Sequence, residues 1–261
     1  MKKPILLILL SIIINLGAQE YFQQEVNYII SVDLDDEKHT LNGYLEIDYT
    51  NNSNDKLDVI WFHLWPNAYK NNSTALAKQK LEEGNTDFHY ASEIERGYID
   101  NINFKVDGES VNWNYHSEHI DICKVLLKRP LKTGETIKIS TPFLVKIPDA
   151  KFSRLGHVEE SYMITQWYPK PAVYDKDGWH IMPYLNQGEF YSEFGSFDVK
   201  ITLPSNYIVG ATGNLQNDAE IEYLNELAKK TDTISVFSDD MSFPESSSNT
   251  KTLHYIEENI H

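Results

Sequence analysis

The chain has 261 residues, and 23 Lys and Arg against 39 Asp and Glu give it a formal charge of −16. So acidic a surface repels phosphate backbones and anionic lipid, which excludes nucleic acid and membrane surfaces as main partners. Cys123 is the single cysteine, so no internal disulfide can form, and its apolar surroundings mark it as a small buried hydrophobe.

Residues 1–18 read as an export signal. Lys2 and Lys3 supply the positive start, Ile5 to Leu16 is apolar apart from Ser11 and Asn15, and Ala18 suits the position before cleavage, which leaves a chain from Gln19. The apolar run is shorter than the ~20 residues that span a bilayer, and no Cys marks a lipoprotein; an uncleaved anchor is the alternative. The expectation is an exported protein, periplasmic or secreted, with no membrane contact after cleavage. Removal of the two lysines leaves 21 basic residues against 39 acidic ones, −18. Residues 19–261 carry no repeat, low-complexity tract or Pro-rich linker and read as one mainly β domain. Sixteen Tyr, eleven Phe and five Trp, with many Ile, Val and Thr, favour strands.

Val26, Tyr28, Ile30, Val32 and Leu34 alternate with polar residues, as do Leu41, Gly43, Leu45, Ile47 and Tyr49 beyond the Asp35-Asp36-Glu37 turn. That pattern predicts two half-buried strands in a hairpin or meander. Val59–Trp65 is apolar or aromatic on both faces, which predicts a strand covered on both sides and ended by Pro66. Residues 67–97 lose the alternation; Thr74–Glu83 is predicted as a short helix stopped by Gly84. Asp107-Gly108 joins Ile102, Phe104 and Val106 to Val111, Trp113 and Tyr115 in the strongest local hairpin signal. Ile120–Leu127 and Ile137–Ile147 are expected to pair, a loop spans 148–160, and Tyr162–Tyr168 is extended. Further strands are expected at Phe197–Leu203, Tyr207–Thr212, Ile234–Phe237 and Leu253–Ile256, with a helix at Asp218–Lys230.

The chemistry-bearing motifs are sparse. No His-Glu-x-x-His helix, Gly-x-Ser-x-Gly elbow or phosphate-cradling Gly loop occurs. His116 and His119 stand three apart; in an extended segment they face opposite sides, and only a turn would let them share a metal, so a solvated hairpin edge is the reading preferred. His63 reads as a structural imidazole. Glu189 and Glu193 are the acids set among aromatics, and a glycosidase-like pair there is the minor alternative. Asn51, Asn71 and Asn72 fit the glycosylation pattern. The segment that stands out is Tyr162-Met-Ile-Thr-Gln-Trp-Tyr-Pro-Lys-Pro-Ala-Val-Tyr-Asp175, in which two prolines and four aromatics surround one neutral amide, Gln166. So rigid and aromatic a loop either packs or binds something.

Four stretches resemble the N-terminal domain of M1-family zinc aminopeptidases, particularly the exported bacterial branch. They are Phe62-His-Leu-Trp-Pro-Asn-Ala-Tyr69, Thr165-Gln-Trp-Tyr-Pro-Lys-Pro-Ala-Val-Tyr-Asp175, Gly178-Trp-His180 and Glu189-Phe-Tyr-Ser-Glu-Phe-Gly-Ser-Phe-Asp-Val-Lys-Ile-Thr-Leu-Pro204; the Gly210-Ala-Thr-Gly213 turn also fits. The resemblance implies a mainly β, saddle-like assembly of antiparallel and mixed sheets that packs on a downstream catalytic domain. It implies that Gln166 helps bind the amino terminus of a peptide substrate, since an amide oxygen accepts a hydrogen bond from an ammonium group. Many relatives carry a second Gln or Glu two residues on, where this chain has Tyr168; a structural amide is the alternative for Gln166. The family's Gly-x-Met-Glu-Asn loop and zinc helix belong to the catalytic domain and are absent, so the chain ends about where that domain would follow. The expectation is a non-catalytic domain with no catalytic or metal-ligating residue of its own, zinc being held in the missing catalytic domain. A free-standing exported β-sandwich module that binds glycan or protein partners is the alternative.

Overall fold

A computed structural model describes residues 21–236, 239–240 and 242–261. The export signal expected at 1–18 lies outside the described residues, as does Phe237 at the end of one expected strand. The chain is mostly β, with α-helices only at Ala75–Glu82 and Asp218–Thr231 among those residues.

The two alternating runs become strands Glu25–Asp35 and Thr40–Thr50, paired antiparallel from Glu25↔Thr50 to Asp35↔Thr40. Their period of two sends Val26, Tyr28, Ile30, Leu45, Ile47 and Tyr49 into the core, while Ile29 and Tyr44 stay on the open face. Thr136–Lys146 extends this sheet, pairing along its whole length with Thr40–Thr50. On the other side, Gly195–Pro204 lies parallel to the first strand and antiparallel to Thr250–Ile260. A Cβ on Gly195 would stand 1.7 Å from the Val26 carbonyl oxygen, so only glycine fits where these two strands converge. The second sheet is smaller: Leu57–His63 pairs with Ile122–Leu131, which pairs with Trp113–Tyr115. Ile60, Phe62, Cys123 and Val125 from the small sheet share one core with Ile47, Ile139 and Phe143 from the large one. The expected cover on both sides of Val59–Trp65 holds only at its far end, where His63 is buried against Trp65 of a second layer of buried groups; Val59 and Trp61 are half-buried and the face they share stays partly open. That layer gathers Trp65, Tyr69, Leu76, Phe88, Phe152 and Tyr184.

The helix at Ala75–Glu82 starts under a Thr74 cap that accepts from the Ala77 N–H, and Gly84 (φ 82°) follows its end. Several expected pairings differ. Ile120–Leu127 and Ile137–Ile147 do not form a hairpin: each joins a different sheet, because Thr136–Lys146 finds an eleven-residue partner in Thr40–Thr50. The Asp107-Gly108 turn exists (φ 51° and 81°), but its strands are two residues each, because Phe104 turns into the core and Trp113–Tyr115 leaves for the small sheet. Tyr207–Thr212 and Ile234–Val236 are irregular; the sheet edge beside Thr250–Ile260 is taken by Asn214–Leu215 instead. Of Tyr162–Tyr168 only the start is a strand, Ser161–Met163, in a hairpin with Gly156–Val158, inside the expected 148–160 loop.

Candidate functional site

Between Ile164 and Phe194 the chain has only strands of two or three residues, so side chains fix its course. Lys170–Pro171 docks on the edge of the small sheet at His63 and Phe62, and Val173–Asp175 folds back on Gly178–His180. Trp167 leans on Phe143 (centroids 5.9 Å) and Tyr168 sits edge-on to Tyr28 (5.6 Å), which ties the aromatic loop to the main core.

Gln166 is at the bend of this loop with φ 53°, a left-handed conformation that costs a side-chain-bearing residue about 1–2 kcal/mol. Beside it the Thr165 hydroxyl donates to the Arg154 carbonyl oxygen (3.0 Å), which closes the loop on the preceding segment. The Gln166 Oε1 atom is shielded from solvent and has no hydrogen-bond partner among the described residues. An orphaned amide in a strained backbone is an arrangement that packing alone does not favour.

Four residues beyond Gln166, the chain buries charge. Lys170 is 6% exposed; its Nζ donates to the Ser192 hydroxyl (2.9 Å) and lies over the Trp65 and Tyr168 rings at 5.5 and 5.7 Å. Burial brings its amine down to about 8. His63, fully buried, stacks on Trp65 (4.4 Å) and accepts the Met182 N–H at Nε2 (3.2 Å), which places its proton on Nδ1, where it finds no partner. Burial, and then the Lys170 charge, hold this imidazole neutral down to about pH 3. Glu193, 5% exposed, accepts the Tyr174 N–H (3.3 Å), yet burial still lifts its carboxyl to about 7. The Pro-Lys-Pro run gives no local sign of this burial, and sequence reasoning missed both Lys170 and Ser192.

The other candidates separate. Glu189 is exposed while Glu193 is buried, so the two acids do not share one environment. His116 and His119 do come together, because both are tied to Ile122 in one turn: His116 N–H donates to Ile122 O (2.9 Å) and Ile122 N–H donates to His119 O (3.1 Å). Their rings lie nearly parallel with centroids 5.2 Å apart, and His116 Nδ1 accepts the Glu118 N–H (3.2 Å). Parallel rings do not aim two nitrogens at one point, as a tetrahedral ion requires. Burial raises the Cys123 thiol well above its ordinary range. Among the described residues no three His, Cys, Asp or Glu side chains converge as a ligand set, so they do not fit a zinc ion. Asn51 is fully buried, its amide donating to the Asp55 and Leu131 carbonyls (2.8 and 3.0 Å), out of reach of glycosylation.

No known protein family's sequence profile matches the chain, and no curated protein matches it. Solved structures do. An M1 zinc metallopeptidase from Deinococcus radiodurans aligns at 15% identity and TM-score 0.44, over 90% of this chain and 39% of that one. A two-domain M1 zinc metallopeptidase variant bound to L-arginine aligns at 14% identity and TM-score 0.43, with the same coverage of 90% and 39%. A Deinococcus radiodurans variant bound to a Tyr-Ser-Ala substrate gives 13% identity and TM-score 0.43. The chain thus spans about two fifths of the length of these proteins.

Proposed function

We propose that the chain is a non-catalytic domain of an exported M1-type zinc aminopeptidase, framing the substrate cleft and offering Gln166 to the amino terminus of a peptide. Its working partner is a zinc-bearing catalytic domain. The 165–175 motif supports this reading, and one observation carries it: Gln166 occupies a strained left-handed position with an amide oxygen that no described residue engages. The terminal amide torsion is soft and roughly two-fold. A half-turn re-aims the oxygen without breaking an internal hydrogen bond to it, so that it can accept from a substrate ammonium. Met163 (61% exposed) and Val158 (57%) stand on the hairpin that enters this loop, apolar surface suited to cover by a partner domain.

The test is a titration of the chain with a short peptide carrying a free amino terminus, and with its acetylated form, read at the neighbouring Trp167 backbone N–H by NMR. The free peptide should shift that signal, the acetylated one should not, and Gln166→Ala should remove the discrimination. Equal shifts from both peptides, or none from either at saturating concentration, would contradict the reading.

A further inference from the structure

We infer that His39, His157 and Tyr162 form a proton-operated latch that holds the Gly156–Met163 hairpin against the turn between the first two strands. The inference does not depend on what Gln166 binds. His39 sits in that turn at φ 50°, and its ring stacks on His157 with centroids 3.6 Å apart and planes 17° from parallel. The Tyr162 hydroxyl lies 2.8 Å from His39 Nδ1 and donates to the Asp36 carbonyl oxygen at 3.3 Å. The hairpin is slight: its ladder runs only from Gly156↔Met163 to Val158↔Ser161. Beyond that it is tied by His157 N–H to Pro148 O and Ala150 N–H to His157 O, each 3.0 Å. The ring stack and the tyrosine are therefore a large share of what fixes it, and it leads directly into the loop bearing Gln166.

Two neutral imidazoles stack by dispersion, whereas two imidazolium ions at this separation repel. The surroundings favour the neutral pair. Burial lowers both histidines, His157 further lowers His39, and Lys146, whose Nζ donates to Lys38 O (2.8 Å), disfavours a positive charge on either. Asp36 and Glu160 oppose this at His39; the Glu159 carbonyl, Asp149 and Glu160 oppose it at His157. Asp36 is already engaged by the Tyr207 and Ser246 hydroxyls. The pair takes one proton with difficulty and a second only by separating the rings, which frees the hairpin.

Amide hydrogen exchange across 156–163 tests this on the whole chain. Corrected for intrinsic rates, protection should fall roughly tenfold for each pH unit of depressed titration between about pH 6.5 and the pair's own midpoint. His157→Phe keeps a stacking ring without a charge and should shrink the fall, because the repulsion between the rings is gone and only His39, depressed by burial and Lys146, still titrates. Should that variant fold poorly, the wild-type ring protons decide: they should titrate in two steps, with the later midpoint below the ordinary histidine value of about 6.5. Protection that ignores pH, pH sensitivity undiminished in His157→Phe, or two independent single-step titrations near the ordinary value would each overturn the latch.

Discussion

The ladder of strands Glu25–Asp35, Thr40–Thr50 and Thr136–Lys146 and the irregular stretch 164–194 hold their shapes by different means. In the ladder, backbone groups pair residue by residue and one face carries Tyr28, Ile47, Ile139 and their neighbours into the core. In the stretch, short strands leave the work to aromatic contacts, and the same contacts bury Lys170, His63 and Glu193 with few polar partners. A ladder of this kind is built for stability. A segment that shields an unpartnered amide oxygen, a neutral imidazole and an amine held by a single hydroxyl gives up stability, which is the usual mark of a surface selected for something else.

The largest expected break lies in the ladder. Gly195→Ala drives a methyl group into the Val26 carbonyl at 1.7 Å, and either Glu25–Asp35 or Gly195–Pro204 must move. We expect a loss above about 3 kcal/mol or failure to fold, measured by urea unfolding. In the irregular stretch the effect should be one of pH. Glu193 has a carboxyl raised to about 7 in the fold from an ordinary 4.5, so the folded state binds more protons in that window. Stability is fully present below 4.5 and is lost as pH rises through 7, by roughly 3 kcal/mol at about 1.4 kcal/mol per unit. Glu193→Gln should flatten that slope, and a wild-type curve without it would show that the carboxyl is solvated. Smallest is Gln166→Gly. Relief of the left-handed backbone and loss of the orphaned oxygen should raise stability by about 1 kcal/mol in the same assay. A destabilised variant would mean the amide is a structural tie, and the contrast between the two regions would weaken.

The ladder was legible because its information is local. Val26 to Leu34 and Leu41 to Tyr49 show period two, Thr74 and Gly84 punctuate the first helix, and Asp218–Thr231 carries acids in its first turn and lysines in its last. Pairing was less legible. Ile122–Leu131 has its nearest strand neighbour in sequence at Thr136–Lys146, yet its partner Leu57–His63 lies some 60 residues upstream, and nothing in either strand alone encodes that choice. The 162–175 motif was conspicuous as composition, and Gln166 as its lone amide. The burial of Lys170 between two prolines arises from contacts with Trp65, Tyr168 and Ser192 that alternation and propensity do not carry, and neither of those patterns marks the positive φ of Gln166.

The central claim is that this chain shapes a peptide-binding surface while the electrophile for hydrolysis resides in another domain. Equilibrium dialysis of the folded chain against zinc, followed by an aminoacyl-anilide assay of the same sample, addresses it most directly. The account predicts no stoichiometric zinc and no turnover above buffer; one tightly held zinc per chain accompanied by hydrolysis would contradict it.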